Sequence, residues 1–85
     1  MAEITIYTTN ACPYCHAAKA LLKRKGAAYR EIDVTNDAKT RAEMTDKAGG
    51  AYTVPQIWIG AAHVGGCDDL HALDHAGKLD MMLAG

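Results

Sequence analysis

The chain has 85 residues, of which 49% are hydrophobic and 22% are charged, and its formal net charge is −1. This length predicts a single domain over residues 1–85, and the hydrophobic share is too high for a disordered chain. The balanced charge gives no reason to expect a nucleic-acid or membrane-surface partner. No apolar run approaches the ~20 residues that span a bilayer, and the first residues do not resemble a signal peptide. We therefore expect a cytoplasmic protein.

The first two predicted elements are a strand and a helix. Residues 3–9 alternate apolar and polar side chains and contain many β-formers, which predicts a strand. A helix is predicted over Pro13–Lys25, because proline suits a first helical turn where its missing N–H has no partner. Gly26 is a plausible end for this helix. The predicted apolar stripe consists of Ala17, Ala18, Leu21 and Leu22.

A second strand and helix are predicted next. Residues 28–34 alternate again and indicate a strand. Thr35 or Asn36 can cap a second helix that runs to about Ala48, followed by two glycines. The expected apolar anchors of this helix are Ala42 and Met44.

The remaining residues predict two strands and more helix. The apolar run Val54–Ile59 is typical of a central strand buried on both faces. A tight turn leads to a short strand at His63–Val64. A third helix opens at Cys67 and carries Leu70 and Leu73. A final helical turn is predicted near residues 79–83.

This order of elements predicts an α/β fold. The first strand–helix–strand unit should be parallel, because such crossovers join parallel strands. The last two strands are joined by a turn and should be antiparallel. A mixed four-stranded sheet with helices on both faces follows.

Cys12 and Cys15 are the residues that point to chemistry, being three positions apart among three cysteines. Cys12 lies between a predicted strand and a helix N-terminus, where unpaired N–H groups and positive potential favour a thiolate, the nucleophile of disulfide exchange. Cys15 is about one turn further along the helix. We therefore expect Cys12 to be the exposed, attacking thiol and Cys15 the resolving thiol, the two forming a redox-active disulfide.

Other interpretations of the cysteine pair remain open. Half of a zinc site is one, but two further ligands are needed. His71 and His75 are one turn apart, although solvent exposure explains them more simply. Two unreactive structural cysteines are another possibility, which the strand-then-helix context disfavours. We expect no metal site.

Three segments together resemble a family. Cys12–Cys15 after a strand, Thr53–Pro55 about forty residues later, and Gly65–Leu70 look like the signature segments of a dithiol glutaredoxin, closest to the short bacterial type. The resemblance covers the whole chain and implies a thioredoxin-like fold with Pro55 in the cis form. It implies a glutathione-dependent oxidoreductase that reduces protein disulfides and glutathione mixed disulfides.

The resemblance also implies a glutathione site. In the family, the backbone of Val54 pairs with the cysteine of glutathione, and the backbone at Cys67 and Asp68 holds its γ-glutamyl carboxylate. Asp68 would face the amino group, Asp69 would cap the helix, and the Cys67 side chain would be structural or occasionally oxidised. The implied glutathione-binding residues are Tyr14, Thr53, Val54, Pro55, Gly66, Cys67 and Asp68.

The chain departs from the family pattern in its basic residues. Many members carry a lysine where this chain has Thr9, and a basic residue just before the Thr-Val-Pro segment, where this chain has Ala51 and Tyr52. These groups help to hold the glycine carboxylate of glutathione or to favour the thiolate. Arg41, on the predicted second helix, could supply replacement charge.

The expected partners follow from the resemblance. They are glutathione as co-substrate and disulfide-bonded or glutathionylated proteins, with ribonucleotide reductase as a plausible client of a monomeric enzyme. A redoxin reduced by thioredoxin reductase is the first alternative; Thr9 and Ala51 leave room for it, whereas Gly65–Leu70 argues against it. The second is an iron–sulfur carrier bridging a dimer through Cys12 and glutathione, with which Cys15 competes by forming a disulfide.

Overall fold

The computed structural model describes residues 2–84 and contains a four-stranded sheet. The elements in chain order are β1 (Ile4–Thr8), α1 (Pro13–Arg24), β2 (Arg30–Asp33), α2 (Ala38–Lys47), β3 (Gln56–Ile59), β4 (Ala62–Gly65), α3 (Cys67–His75) and α4 (Leu79–Leu83). The strand order is β2-β1-β3-β4, with β1 parallel to β2 and both other pairs antiparallel. The predicted α/β fold with a mixed sheet is confirmed. The prediction of one domain over 1–85 includes Met1 and Gly85, which lie outside the described residues.

The sheet buries apolar side chains on both faces, as predicted. Helices α1, α3 and α4 pack on one face, where Leu21, Leu70 and Leu79 meet the isoleucines of β1 and β3. Helix α2 covers the other face, where Met44 packs with a second cluster. That second cluster consists of Tyr7, Val34, Met44 and Trp58. Strand β3 is buried along its whole length because β1 and β4 flank it.

The predicted cap of α2 was wrong. Asp37, rather than Thr35 or Asn36, caps α2, since its Oδ1 accepts the backbone N–H of Thr40 at 3.0 Å. Thr35 is engaged in the preceding turn, where its hydroxyl donates to the carboxylate of Asp33. A short polar side chain can serve either a turn or a helix cap, and spacing alone does not distinguish the two.

The predicted apolar stripes were too wide. Ala17 on α1 and Ala42 on α2 are exposed, because each lies beside the buried face of its helix rather than on it. Met44 is the buried residue of α2. That helix, which also carries Arg41, is therefore fastened to the sheet mainly by one side chain.

The last two strands have different limits from those predicted. Strand β3 begins at Gln56 instead of Val54, and the Val54–Pro55 peptide bond before it is cis. Pro55 has no N–H to give to a sheet ladder, so it precedes the strand. Strand β4 runs over Ala62–Gly65 and is longer than the predicted His63–Val64. In the described part of the chain, none of the helices has the length and apolar character of a membrane span.

Helix α2 should depend strongly on Met44. We expect Met44→Ala to lower the free energy of unfolding by about 2–5 kcal/mol, the range for removing a buried large side chain. Met81→Ala is the matched control, because Met81 is 69% exposed whereas Met44 is 0% exposed, and it should change stability by less than about 0.5 kcal/mol. Urea unfolding of both variants measures the difference, and equal losses would contradict this packing.

Candidate active site

Cys12 is the N-cap residue of α1. Its backbone is extended, with φ −117° and ψ 105°, and its sulfur accepts the backbone N–H of Cys15 at 3.1 Å. The thiol also donates to the carbonyl oxygen of Val54, with sulfur and oxygen 3.6 Å apart. The prediction that Cys12 is exposed was wrong, because only 8% of the residue is accessible. The loop that carries Val54 contacts its sulfur.

Cys15 has a different environment from Cys12. It lies on the inner side of α1 and is 0% exposed. Burial is the main cause that raises the pKa of the Cys15 thiol from its usual 9.0 to about 12, and a hydrogen bond between the Cys15 and Cys12 side chains is the second cause. A buried thiol keeps its proton because the charged form loses its hydration. Both cysteines, and Cys67, are free thiols.

An open groove of about 590 Å³ is lined in part by Val54, the residue whose carbonyl oxygen accepts the Cys12 thiol. Its wall includes the loop that holds the cis Val54–Pro55 bond, the exposed ring of Tyr14 and the beginning of α3. Its volume falls in the range of small-molecule sites. All seven residues predicted to bind glutathione line it: Tyr14, Thr53, Val54, Pro55, Gly66, Cys67 and Asp68.

The N-terminus of α3 forms one end of this groove. Gly66 is the N-cap, and its backbone N–H donates to Oδ2 of Asp69 at 3.0 Å, as in a capping box. Gly65 has φ +109°, and a Cβ there would collide with the carboxylate of Asp69. Asp69 is thus used by the helix end, whereas Asp68 is exposed on the groove wall.

Cys67 lies in the groove wall but is buried, which raises the pKa of its thiol. Nδ1 of His71 is 3.4 Å from its sulfur and 2.9 Å from its carbonyl oxygen. Since a carbonyl oxygen only accepts, this nitrogen carries a hydrogen and cannot take the thiol proton. This geometry favours the predicted non-catalytic side chain.

Arg41 occupies a position that sequence reasoning only partly foresaw. Its Nε and Nη2 donate to the carbonyl oxygen of Tyr52 at 3.2 and 3.0 Å. The guanidinium therefore fastens the segment that leads to Thr53, in addition to bringing positive charge to this end of the sheet.

One part of the site was missed altogether. His63 and Gln56 also line the groove. They hydrogen-bond to each other, and Gln56 also donates to Thr53. Strand alternation could have found them, because Gln56 and Trp58 share a face of β3 and His63 pairs with Trp58. Among residues 2–84, His, Cys, Asp and Glu side chains form no group of three that could hold a metal ion.

Comparison with known proteins identifies the family. The glutaredoxin family model matches residues 4–64. A glutaredoxin of Pseudomonas aeruginosa is 58% identical over 84 residues, covering 99% of each chain. The chain belongs to the glutaredoxin family. The solution structure of a Brucella melitensis glutaredoxin is 55% identical with a TM-score of 0.85, covering 98% of this chain and 89% of that one.

A more distant glutaredoxin has been solved with a ligand. The crystal structure of a buckwheat glutaredoxin–glutathione complex is 30% identical, has a TM-score of 0.90, and covers 98% of this chain and 77% of that one. Glutaredoxins are glutathione-dependent thiol–disulfide oxidoreductases, and the Cys12–Cys15 pair fits their two-cysteine centre. This glutaredoxin is an enzyme of that class.

The raised pKa of Cys15 predicts how stability depends on pH. In the unfolded chain this thiol ionises near its usual 9.0, whereas in the folded glutaredoxin it stays protonated up to about 12. The contribution of the Cys15 thiol to the free energy of unfolding is therefore complete below pH 9 and is lost as the pH rises from 9 to 12. Between pH 9 and 11, Cys15 should lower the unfolding free energy by up to about 1.4 kcal/mol per pH unit.

Cys15→Ala removes this group and should give a flatter curve over the same pH range. Urea unfolding at several pH values measures the slope of unfolding free energy against pH for each protein. The truncated side chain lowers stability equally at every pH, so it does not affect the comparison of slopes. Parallel curves for the two proteins would contradict the burial of Cys15 as the cause.

Proposed function

We propose that Cys12 is the nucleophile of this glutaredoxin, that Cys15 resolves its disulfides, and that the groove binds glutathione. The observation that carries the proposal is the contrast between the two thiols. The sulfur of Cys12 accepts an N–H at the helix N-terminus and contacts the carbonyl oxygen of Val54, a residue that lines the groove. Cys15 is buried behind it.

With a glutathionylated protein, the Cys12 thiolate attacks the sulfur of the glutathione moiety. The Cys12–glutathione bond forms as the protein–glutathione disulfide breaks, and the protein thiolate leaves and takes a proton. The thiolate of a second glutathione then attacks the bound glutathione sulfur. Glutathione disulfide departs and the Cys12 thiolate returns. This cycle does not require Cys15.

With a protein disulfide, the Cys12 thiolate first forms a mixed disulfide with the substrate. Cys15 then loses its proton and attacks the Cys12 sulfur, which releases the second substrate thiol and leaves a Cys12–Cys15 disulfide. Two glutathione molecules reduce that disulfide. Burial raises the pKa of the Cys15 thiol, so its deprotonation is a step that the first cycle does not contain.

The groove offers complementary groups to a γ-glutamyl tripeptide. The backbone of Val54, in the loop before β3, can pair with the backbone of the glutathione cysteine. Its carbonyl oxygen accepts the thiol of Cys12 in the structure, and ionisation of Cys12 releases that oxygen for a ligand N–H. The first N–H groups of α3, at Cys67 and Asp68, suit a carboxylate, and the exposed Asp68 carboxylate suits an ammonium group.

Further members of the groove shape it. Tyr14 presents an exposed ring, and Thr53 and Pro55 also line the groove. The buckwheat relative, solved with glutathione, has the same fold.

We also propose that the enzyme acts as a monomer in the cytoplasm, without a bound metal, and that ribonucleotide reductase is among its clients. Glutathione at the cytosolic poise can reduce a glutaredoxin with a potential of about −200 to −230 mV, which supports the compartment. The remaining points rest on the resemblance to short bacterial glutaredoxins.

The roles of the cysteines can be separated by substitution. Cys12→Ser should abolish reduction of both glutathionylated and disulfide-bonded proteins, because the attacking sulfur is gone. Cys15→Ser should retain deglutathionylation and lose most protein-disulfide reduction. Cys67→Ser is the matched control and should keep both activities.

A glutathione-coupled assay with each substrate class measures these effects. Equal losses in the Cys12 and Cys15 variants would contradict the assignment of roles, and activity with thioredoxin reductase but not with glutathione would favour the alternative redoxin.

Binding at Asp68 can be tested against an equal change of charge. We expect Asp68→Asn to raise the KM for glutathione roughly tenfold, because a charge-assisted hydrogen bond is lost. Asp46→Asn removes the same charge from an exposed position on α2 and should leave the KM unchanged. Similar KM values for the two variants would rule out direct contact with Asp68.

A further inference from the structure

Three polar side chains form a hydrogen-bonded chain that ends in the groove. Nε2 of His63 lies 2.7 Å from Oε1 of Gln56, and Nε2 of Gln56 donates to Oγ1 of Thr53 at 3.3 Å. Gln56 is only 3% exposed, so it depends on these partners to replace water. We refer to these residues as the His63–Gln56–Thr53 chain.

The outer end of this chain is held in place by stacking. The ring of His63 lies on Trp58, with ring centroids 4.7 Å apart and an interplanar angle of 29°. Trp58 in turn packs edge-on against Tyr7 and lies under Nζ of Lys47, 5.4 Å from its ring centroid. These contacts fix the imidazole ring beside Gln56, whereas the ring of an exposed histidine normally lacks such restraints.

The chain has a direction, because an amide has one accepting end and one donating end. If Nε2 of His63 carries a hydrogen, it donates to Oε1 of Gln56, and the amide N–H then donates to Thr53. The hydroxyl hydrogen of Thr53 is left to point into the groove. If Nε2 of His63 carried no hydrogen, the Gln56 amide would be turned over. Its NH2 group would then donate to Nε2 of His63, and its carbonyl oxygen would accept the hydroxyl hydrogen of Thr53.

We infer that His63 and Gln56 are positioning residues that hold the Thr53 hydroxyl as a donor to a carboxylate or carbonyl oxygen of glutathione. This inference rests on the proposed function, since it concerns the same groove. Donors aligned in one direction polarise one another, so the hydroxyl binds an acceptor better than an isolated threonine would. The effect should appear in glutathione binding and not in the intrinsic reactivity of Cys12.

Substitutions at both ends of the chain test the coupling. His63→Phe keeps the stacking on Trp58 and removes the donor, and we expect the KM for glutathione to rise roughly three- to tenfold, the value of one neutral hydrogen bond. The kcat at saturating glutathione and the rate of Cys12 alkylation should change less than about twofold, because the chain does not touch the sulfur. His75→Phe, at an exposed position on α3, is the matched control.

Thr53→Val removes the far end of the chain and should raise the KM similarly. The double variant should be no worse than Thr53→Val alone, since both substitutions interrupt one path. Multiplied effects, or a wild-type KM in an active His63→Phe enzyme, would overturn the inference while leaving the proposed function intact. Loss of glutathione-dependent turnover in the wild type would instead refute the proposed function.

The direction of the chain can be measured in the unsubstituted protein. At pH 8.5, where an ordinary imidazole is neutral, nitrogen NMR should show His63 with its hydrogen on Nε2. A hydrogen on Nδ1 would mean that the chain runs the other way, and would overturn the inference whatever the kinetics of the variants.

Discussion

The hydrogen bond from the backbone N–H of Cys15 to the sulfur of Cys12 joins the fold to the chemistry. It satisfies an N–H that the first turn of a helix leaves unpaired, and it needs an extended backbone at the residue before Pro13, which Cys12 has. The same bond directs the sulfur towards the loop before β3, where Val54 accepts its hydrogen. A redox centre thus serves as a structural cap, and it lies buried against the loop that carries Val54.

The unequal environments of the two cysteines follow from this cap. One helical turn separates the Cys12 sulfur, which contacts the loop that carries Val54, from the Cys15 sulfur in the core, where burial raises the pKa of the thiol to about 12. The loop before β3 is held by Arg41 of α2, which donates to the carbonyl of Tyr52, and by the His63–Gln56–Thr53 chain. Thr9 and Ala51 supply none of the positive charge that the family pattern places at those positions.

Sequence patterns were sufficient for the order, type and pairing of the elements, because alternation and helical periodicity are local properties. They also indicated seven of the twelve residues that line the groove, through their resemblance to family segments. They failed where two local solutions compete, as with Asp37 and Thr35 for the cap of α2, and where distant segments meet. The burial of Cys12 against Val54 depends on the pairing of β1 with β3, and the bond from His63 to Gln56 depends on the pairing of β3 with β4. No single segment encodes either pairing.

The account depends most on Cys12 as the attacking sulfur, and trapping its adduct tests this directly. Cys15→Ser protein, incubated with glutathione disulfide and digested after quenching, should carry one glutathione per chain on the peptide with Cys12, while Cys67 stays unmodified. The serine at position 15 cannot attack the disulfide between Cys12 and glutathione, so this adduct accumulates. An adduct on Cys67 with Cys12 still free would contradict the central claim.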